Sequence, residues 1–308
     1  MNIKTCFSAL LSALLMLAAG TSSAASDLPR EVIVNGVEFV HVPGGWFWYP
    51  VEGAQREGAV FVPNNKWYRD VKVWQDGFYI GKFEARARDF QRFMNAGKPQ
   101  HAVQYTTAKG NDEGCAVRLD GNGYFLTRPQ EDLPVSHMSW DLSVEFARFM
   151  GFRLPTEAEW VKAARGEDKR VWPWGNEHPD DTFAGYNRMP DCHLVPVDSF
   201  HNGRSPYGAY NMAGNVYEWV ADWYNEQFDA ALKDGDRNPK LADKSSLNPP
   251  EKLLKGGRWA SDAGGISIYE RLTNPADGGF TCFGLRFAVD ESTVREHLAK
   301  GTATVVAQ

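Results

Sequence analysis

The chain has 308 residues with 43% hydrophobic residues, a net charge of -6, 29 Gly and 11 Trp. That is enough apolar material for one large folded unit, and the balanced acidic charge excludes nucleic acid as the main partner, since phosphate binding needs a basic face. Many glycines and tryptophans point to turns and aromatic anchors rather than long helices.

Residues 1–25 read as a leader. Lys4 supplies the positive start, Phe7 to Ala19 is an apolar stretch too short to span a bilayer, and Ser23-Ala24-Ala25 offers small residues for cleavage. No later segment is apolar for long enough to cross a membrane. The remainder, 26–308, is expected to be one exported domain, periplasmic or secreted and not embedded in a membrane. Cys6 leaves with the leader, so Cys115, Cys192 and Cys282 can form one disulfide at most, and the sequence does not select the pair.

Val32 to Val42 alternates around Asn35-Gly36 and predicts a hairpin ended by Gly44-Gly45. Val73 to Ile80 predicts a strand. Phe90, Phe93 and Met94 fall at helical spacing between Arg88 and Asn95, with Gly97 behind them. Ala102 to Arg128 reads as a loop with a hairpin at Asp120-Gly121. Ser139 can cap a helix that stops at Gly151. Thr156 and Glu159 form a capping box for a second helix, bounded by Pro155 and Gly166. Loops and short strands follow to Val289. Asp290 to His297 is expected to be a short helix with a frayed tail behind it. The fold class is therefore α+β.

The stretch Tyr207 to Trp223, YGAYNMAGNVYEWVADW, carries Asn211, Gly214, Val216 and Glu218. An amide, two carbonyls and a carboxylate at this spacing suit Ca²⁺; the same residues also suit an aromatic core strand entered through a glycine turn. The seven His include no HxxxH pair, and no catalytic transition metal is expected.

Several blocks in order resemble the formylglycine-generating enzyme, or sulfatase-modifying factor, superfamily. They are HVPGGWFWYP from His41, DGFYIGKFE from Asp76, PVSHMSW from Pro134, FRLPTEAEWVKAARG from Phe152, WPWGNE from Trp172 and PVDSF from Pro196. After the stretch at Tyr207 come KGGRW from Lys255 and GLRFAV from Gly284. The resemblance implies a single domain with a C-type-lectin-like variant of the α+β class and little regular secondary structure. It also implies a structural Ca²⁺ on Asn211, Gly214, Val216 and Glu218, and leaves open a second site near Asn187 and Asp191.

The copper-dependent members of that superfamily carry a Cys pair in the stretch after KGG, and paired thiolates suit Cu(I). Here the two positions fall at about Ala263 and Ile268, so neither copper nor iron is expected. The polar residues of the stretch are Glu270, Arg271, Asn274 and Asp277. Glu270 is the candidate general base, with an Arg–carboxylate structural network as the alternative, and Arg271 is read as structural or as a substrate anchor; Trp259, Tyr269 and Asn274 are the candidate substrate contacts, with Trp219 nearby and core packing the alternative for the aromatic residues. Lacking the Cys pair, the chain resembles the exported branch that matures the pyoverdine siderophore. That implies a copper-free oxidoreductase acting on a small-molecule or peptide substrate, such as the conversion of dihydropyoverdine to pyoverdine. A non-catalytic lectin-like binding or partner-modifying protein of the envelope is the alternative. Conversion of a sulfatase Cys to formylglycine is the least supported reading.

Overall fold

The Asn35-Gly36 pair forms a two-residue hairpin, with φ of 49° and 82° and Val34 opposite Val37. Only a primed turn gives both central residues positive φ, and Asn-Gly is the pair that tolerates it. The structure, a computed structural model, describes residues 28–53, 60–61, 67–97, 99–101, 116–120, 123–129, 132–189 and 193–306. The expected leader, Cys115, Asp191 and Cys192 lie outside the described residues.

In chain order the strands are β1 (Glu31–Val34), β2 (Val37–Val42), β3 (Gly45–Gly53), β4 (Val60–Phe61), β5 (Trp67–Gln75), β6 (Phe78–Gly81), β7 (Val117–Asp120) and β8 (Gly123–Leu126). They continue as β9 (Tyr217–Trp223), β10 (Lys252–Lys255), β11 (Leu272–Asn274), β12 (Phe283–Leu285), β13 (Ala288–Asp290) and β14 (Ala303–Val305). The helices are α1 (Ala87–Gly97), α2 (Trp140–Met150), α3 (Glu157–Arg165), α4 (Glu226–Ala231) and α5 (Glu291–Ala299). One sheet has the order β13-β6-β2-β1-β14, a second β11-β10-β9-β12, and a third β3-β5-β4. This is the mixed helix-and-sheet class expected.

The cap signals fold as read. Ser139 accepts from the Leu142 amide, and Gly151 closes α2 at φ 84°. Thr156 and Glu159 make both bonds of the capping box on α3. β7 and β8 pair as the expected hairpin.

Three expectations need correction. The strand Val73 to Ile80 is two strands, β5 and β6. Asp76 turns aside to accept from Trp74 Nε1, and a Cβ on Gly77 would lie 2.0 Å from Glu291 Oε1, so the chain bends where α5 docks. Gly45 opens a nine-residue strand rather than merely ending a hairpin. The tail is not frayed: Ala303 to Val305 pairs antiparallel with Val34 to Val32. A further helix, α4, is capped by Asn225 on the Phe228 amide.

Two apolar cores result. One joins β1, β2, α1, α2, β9 and β12 around Phe39, Phe146 and Trp219; the other joins β3, β5 and α3 around Phe47, Trp160 and Val220. α3 is buried even at Lys162 and Arg165. Lys162 Nζ donates to the Gly45 and Gln75 carbonyls, and Arg165 Nη1 donates to Trp48 O and Asp70. Buried charges are tolerated only when paired in this way.

Candidate active site

The chain enters the site through Gly256 and Gly257, at φ 90° and 74°. A Cβ on Gly257 would stand 2.2 Å from Gly265 O, so only glycine lets this turn pack against the following loop. The turn places Arg258 beside β12, which runs parallel to β9 with Phe283 opposite Tyr217. Around this seam lies a cavity of about 320 Å³, lined by Tyr217, Arg258, Leu272, Asn274, Phe280 and Cys282 among others.

Its polar groups form one chain of contacts. Arg258 Nη1 donates to Cys282 Sγ at 3.4 Å, and the Arg258 amide donates to Ser261 Oγ. The Tyr217 hydroxyl shares a hydrogen bond with Ser261. Burial, reinforced by the charge of Glu270, pushes the Tyr217 phenol up to about 12, so it stays protonated and can donate. Burial also raises the Cys282 thiol despite the guanidinium beside it, which makes it a poor nucleophile at neutral pH. The walls are apolar: Leu272, Phe283 and the half-exposed ring of Phe280.

Of the residues anticipated from sequence, one lines this cavity and another lies close to its wall. Asn274 lines the cavity from β11. Glu270 sits two residues before that strand, partly exposed and near enough to act on Tyr217. Its backbone is held by Lys255 Nζ, which donates to the Ile268 and Glu270 carbonyls.

Arg271 faces the other way and is buried. It donates to Glu157 at 2.6 and 2.7 Å, to Asp229 and to the Tyr49 hydroxyl. This is a closed ion-pair network beneath the site, with its carboxylates already spoken for. Glu157 is held below the usual carboxylate range by Arg271 and Lys255, which outweigh its burial. Tyr269 is also buried, against Tyr68, with its hydroxyl accepting from Arg165. Trp259 is 5% exposed within the first core, and Trp219 is fully buried with its Nε1 on Met138 O.

Sequence reasoning missed Tyr217, Arg258, Ser261 and Phe280. The only signal for Arg258 was the double glycine before it; nothing local announces that β9 and β12 pair in parallel across more than 60 residues.

At the positions aligned with the copper thiolates, Ile268 is fully buried in the second core and Ala263 offers only its carbonyl, which accepts from Trp172 Nε1. That donor set does not fit Cu(I). Among the described residues no three His, Cys, Asp or Glu side chains converge as metal ligands.

The residues anticipated for Ca²⁺ are arranged differently from a cage. Glu218 Oε1 accepts from Arg286 Nη2 at 2.7 Å, and Oε2 accepts from Trp160 Nε1 at 2.7 Å and Arg286 Nε at 2.9 Å. Asn211 points its Nδ2 donor at Glu84 Oε2 and Val197 O. Gly214 makes its turn against Gly185, and Val216 packs in the first core. The charge of Glu218 is already balanced by a buried guanidinium, so these four residues as arranged do not fit the ion. Asn187 takes φ 52° and donates its amide to Ser261 O.

No helix among the described residues is long and apolar enough to cross a membrane.

Comparison with known proteins bears on residues 25–291, which match the sulfatase-modifying factor enzyme 1-like domain. The formylglycine-generating enzyme of Bos taurus is 28% identical, over 89% of this chain and 83% of its own length. That of Thermomonospora curvata is 35% identical, over 56% of this chain and 60% of the enzyme. The hercynine oxygenase of Mycobacterium tuberculosis is 40% identical, over 54% of this chain and 37% of that enzyme. Among solved structures, PvdO from Pseudomonas aeruginosa superposes with a TM-score of 0.62 at 20% identity, covering 86% of this chain and all of PvdO. At that identity the likeness concerns the fold. With its sequence blocks, its sheet order and this domain match, the chain belongs to the sulfatase-modifying factor family, whose members include the formylglycine-generating enzymes.

Proposed function

We propose that the protein is an exported, copper-free oxidase that dehydrogenates a planar, electron-rich aromatic group on a small molecule or peptide, as in the conversion of dihydropyoverdine to pyoverdine. The observation that carries this reading is an apolar-walled cavity lined by Arg258 and Tyr217, with Glu270 near enough to act on Tyr217, in a chain that has Ala263 and Ile268 at the positions aligned with the copper thiolates. The likeness to PvdO and to an oxygenase in the same family supports it.

Glu270 takes a proton from the reduced ring. The anion that forms is held by the Arg258 guanidinium and by the Tyr217 hydroxyl as donor. Leu272, Phe280 and Phe283 clasp the ring faces and limit water. Dioxygen accepts the two electrons. It leaves as hydrogen peroxide with two protons, so the substrate loses two hydrogens in all.

The test is a deletion strain whose secreted metabolites are followed by mass spectrometry and fluorescence, complemented with wild-type or Glu270→Gln protein. Accumulation of a non-fluorescent precursor two mass units heavier, rescued by the wild type alone, is the expected result. An unchanged metabolite profile would overturn it.

A second reading, a binding protein for an envelope partner, is favoured by exposed apolar residues, one of which, Phe280, lines the cavity. Phe280 is 56% and Met189 66% exposed, and Met189 follows the residue whose amide binds Trp259 O. Retrieval of a defined periplasmic partner by wild type and Glu270→Gln alike, with no metabolite change, would establish it.

A further inference from the structure

A second cavity, of about 300 Å³, shares no lining residue with the first. It lies between α2 and the ends of β9 and β10, with Trp140 and Trp223 as walls and Phe152 at its base. Lys252 Nζ sits between the two indoles, 3.8 Å from the Trp140 ring and 3.9 Å from the Trp223 ring. The ammonium has one protein acceptor in the cavity wall, Ala221 O at 2.7 Å. An ammonium carries three donors, so the position has capacity for a further acceptor. Arg148, from the last turn of α2, and Lys240 stand exposed at the rim.

The charges around the cavity are unbalanced. Lys244 lies over the Trp223 ring at 5.2 Å, adding a cation. The lining contains no acid. Of the nearby carboxylates, Asp222 is turned to the Glu157 and Leu241 amides, and Glu159 and Asp290 are engaged by Arg153. Asp141, in the first turn of α2, is the remaining acid whose charge reaches Lys252.

We infer that this cavity is a binding site for a small planar aromatic carboxylate, its ring against the apolar wall of Val144, Phe152 and Leu154 and its carboxylate facing Lys252, Lys240 and Arg148. The volume holds one ring or a fused pair, at the lower end of the range of small-molecule sites. The apolar wall suits a flat apolar body, and three cations in or at the rim of the lining with no acid among them favour an anionic head. Burial lowers the Lys252 amine to about 7, and an anion beside it would restore its proton.

The probe is 4-fluorobenzoate, followed by fluorine NMR line broadening on the full-length exported protein. We expect saturable binding with a dissociation constant at or below about 1 mM, the scale open to a ligand of this size. The exposed double variant Arg148→Glu/Lys240→Glu should weaken it at least about tenfold, as should replacing the probe with 4-fluorobenzamide. Phe280→Asp, in the other cavity, should leave it unchanged. Absence of broadening at about 5 mM probe, equal binding of the amide, an unaffected double variant, or loss of binding with Phe280→Asp would each overturn the assignment.

Discussion

Replacing Arg271 with Met removes the cation from a buried set that includes Glu157, Asp229 and Tyr49. Met keeps most of the stem's volume, so the loss is electrostatic rather than a cavity. Both carboxylates are almost fully enclosed, and Lys255 Nζ, 3.6 Å from Glu157 Oε1, is the remaining nearby cation. Breaking one side of a buried pair costs about 3–5 kcal/mol, because the partner charge is left without compensation. For a chain of this size that is a fall in Tm of about 6–15 °C. The pH dependence carries the diagnosis. In the wild type, Glu157 has a lowered folded pKa, so its stabilisation is present above the unfolded pKa and is lost as pH falls through the folded value. Without Arg271 both carboxyls are raised by burial, so the sign reverses. The variant's deficit is then largest at neutral pH and shrinks as the carboxyls protonate toward pH 5. Urea melts of both proteins at pH 7 and pH 5 measure this. A deficit under about 1 kcal/mol at pH 7, or one that grows on acidification, would refute the assignment of Arg271 to a structural network.

Glu84 is buried with Oε1 lacking a partner, and its carboxyl is raised to about 8 by burial and by the charge of Glu218. A raised acid costs stability above its unfolded pKa, so stability should decline as pH rises from 5 to 8; Glu84→Gln should flatten that slope and gain about 1–3 kcal/mol at pH 8, read by thermal melts. Because Arg286 already neutralises Glu218, adding EGTA should move Tm by less than about 1 °C, whereas Arg286→Met should cost about 3–5 kcal/mol; a large chelator-induced shift would restore the calcium reading. Arg258→Met should abolish dehydrogenation with little change in Tm, since the side chain is partly exposed and its one described side-chain acceptor is the Cys282 thiol; activity is read as peroxide release.

What the sequence disclosed depends on how far apart the deciding groups lie. The caps of α2 and α3 and the Asn35-Gly36 turn were legible because donor and acceptor, or the two strained residues, are within four positions of each other. Asn274 could be placed beside the cavity's other polar groups because the polar stretch that holds it is continuous. The sequence left Arg271 between a structural and an anchoring role because its surroundings come from Tyr49, Glu157 and Asp229, whose approach depends on three separate elements. Glu218 shows the same limit. Its spacing from Asn211 fits an ion, but the guanidinium that occupies it arrives from Arg286, 68 positions away. Tyr217 and Arg258 entered the site through a parallel strand pairing and a double-glycine turn, neither of which leaves a periodic trace.

The pairing of β14 with β1, extended by the Val306 amide on Glu31 O, has a practical consequence. The first and last described segments lie side by side on one edge of the five-stranded sheet, so the chain is close to a ring. A circular permutant that links residue 306 to residue 28 and opens the exposed segment at Asp243 to Ser245 should keep every sheet intact. New ends there would sit beside the Trp223 cavity and far along the chain from Arg258. A permuted protein could therefore carry a reporter at the second cavity without a tag at either natural end.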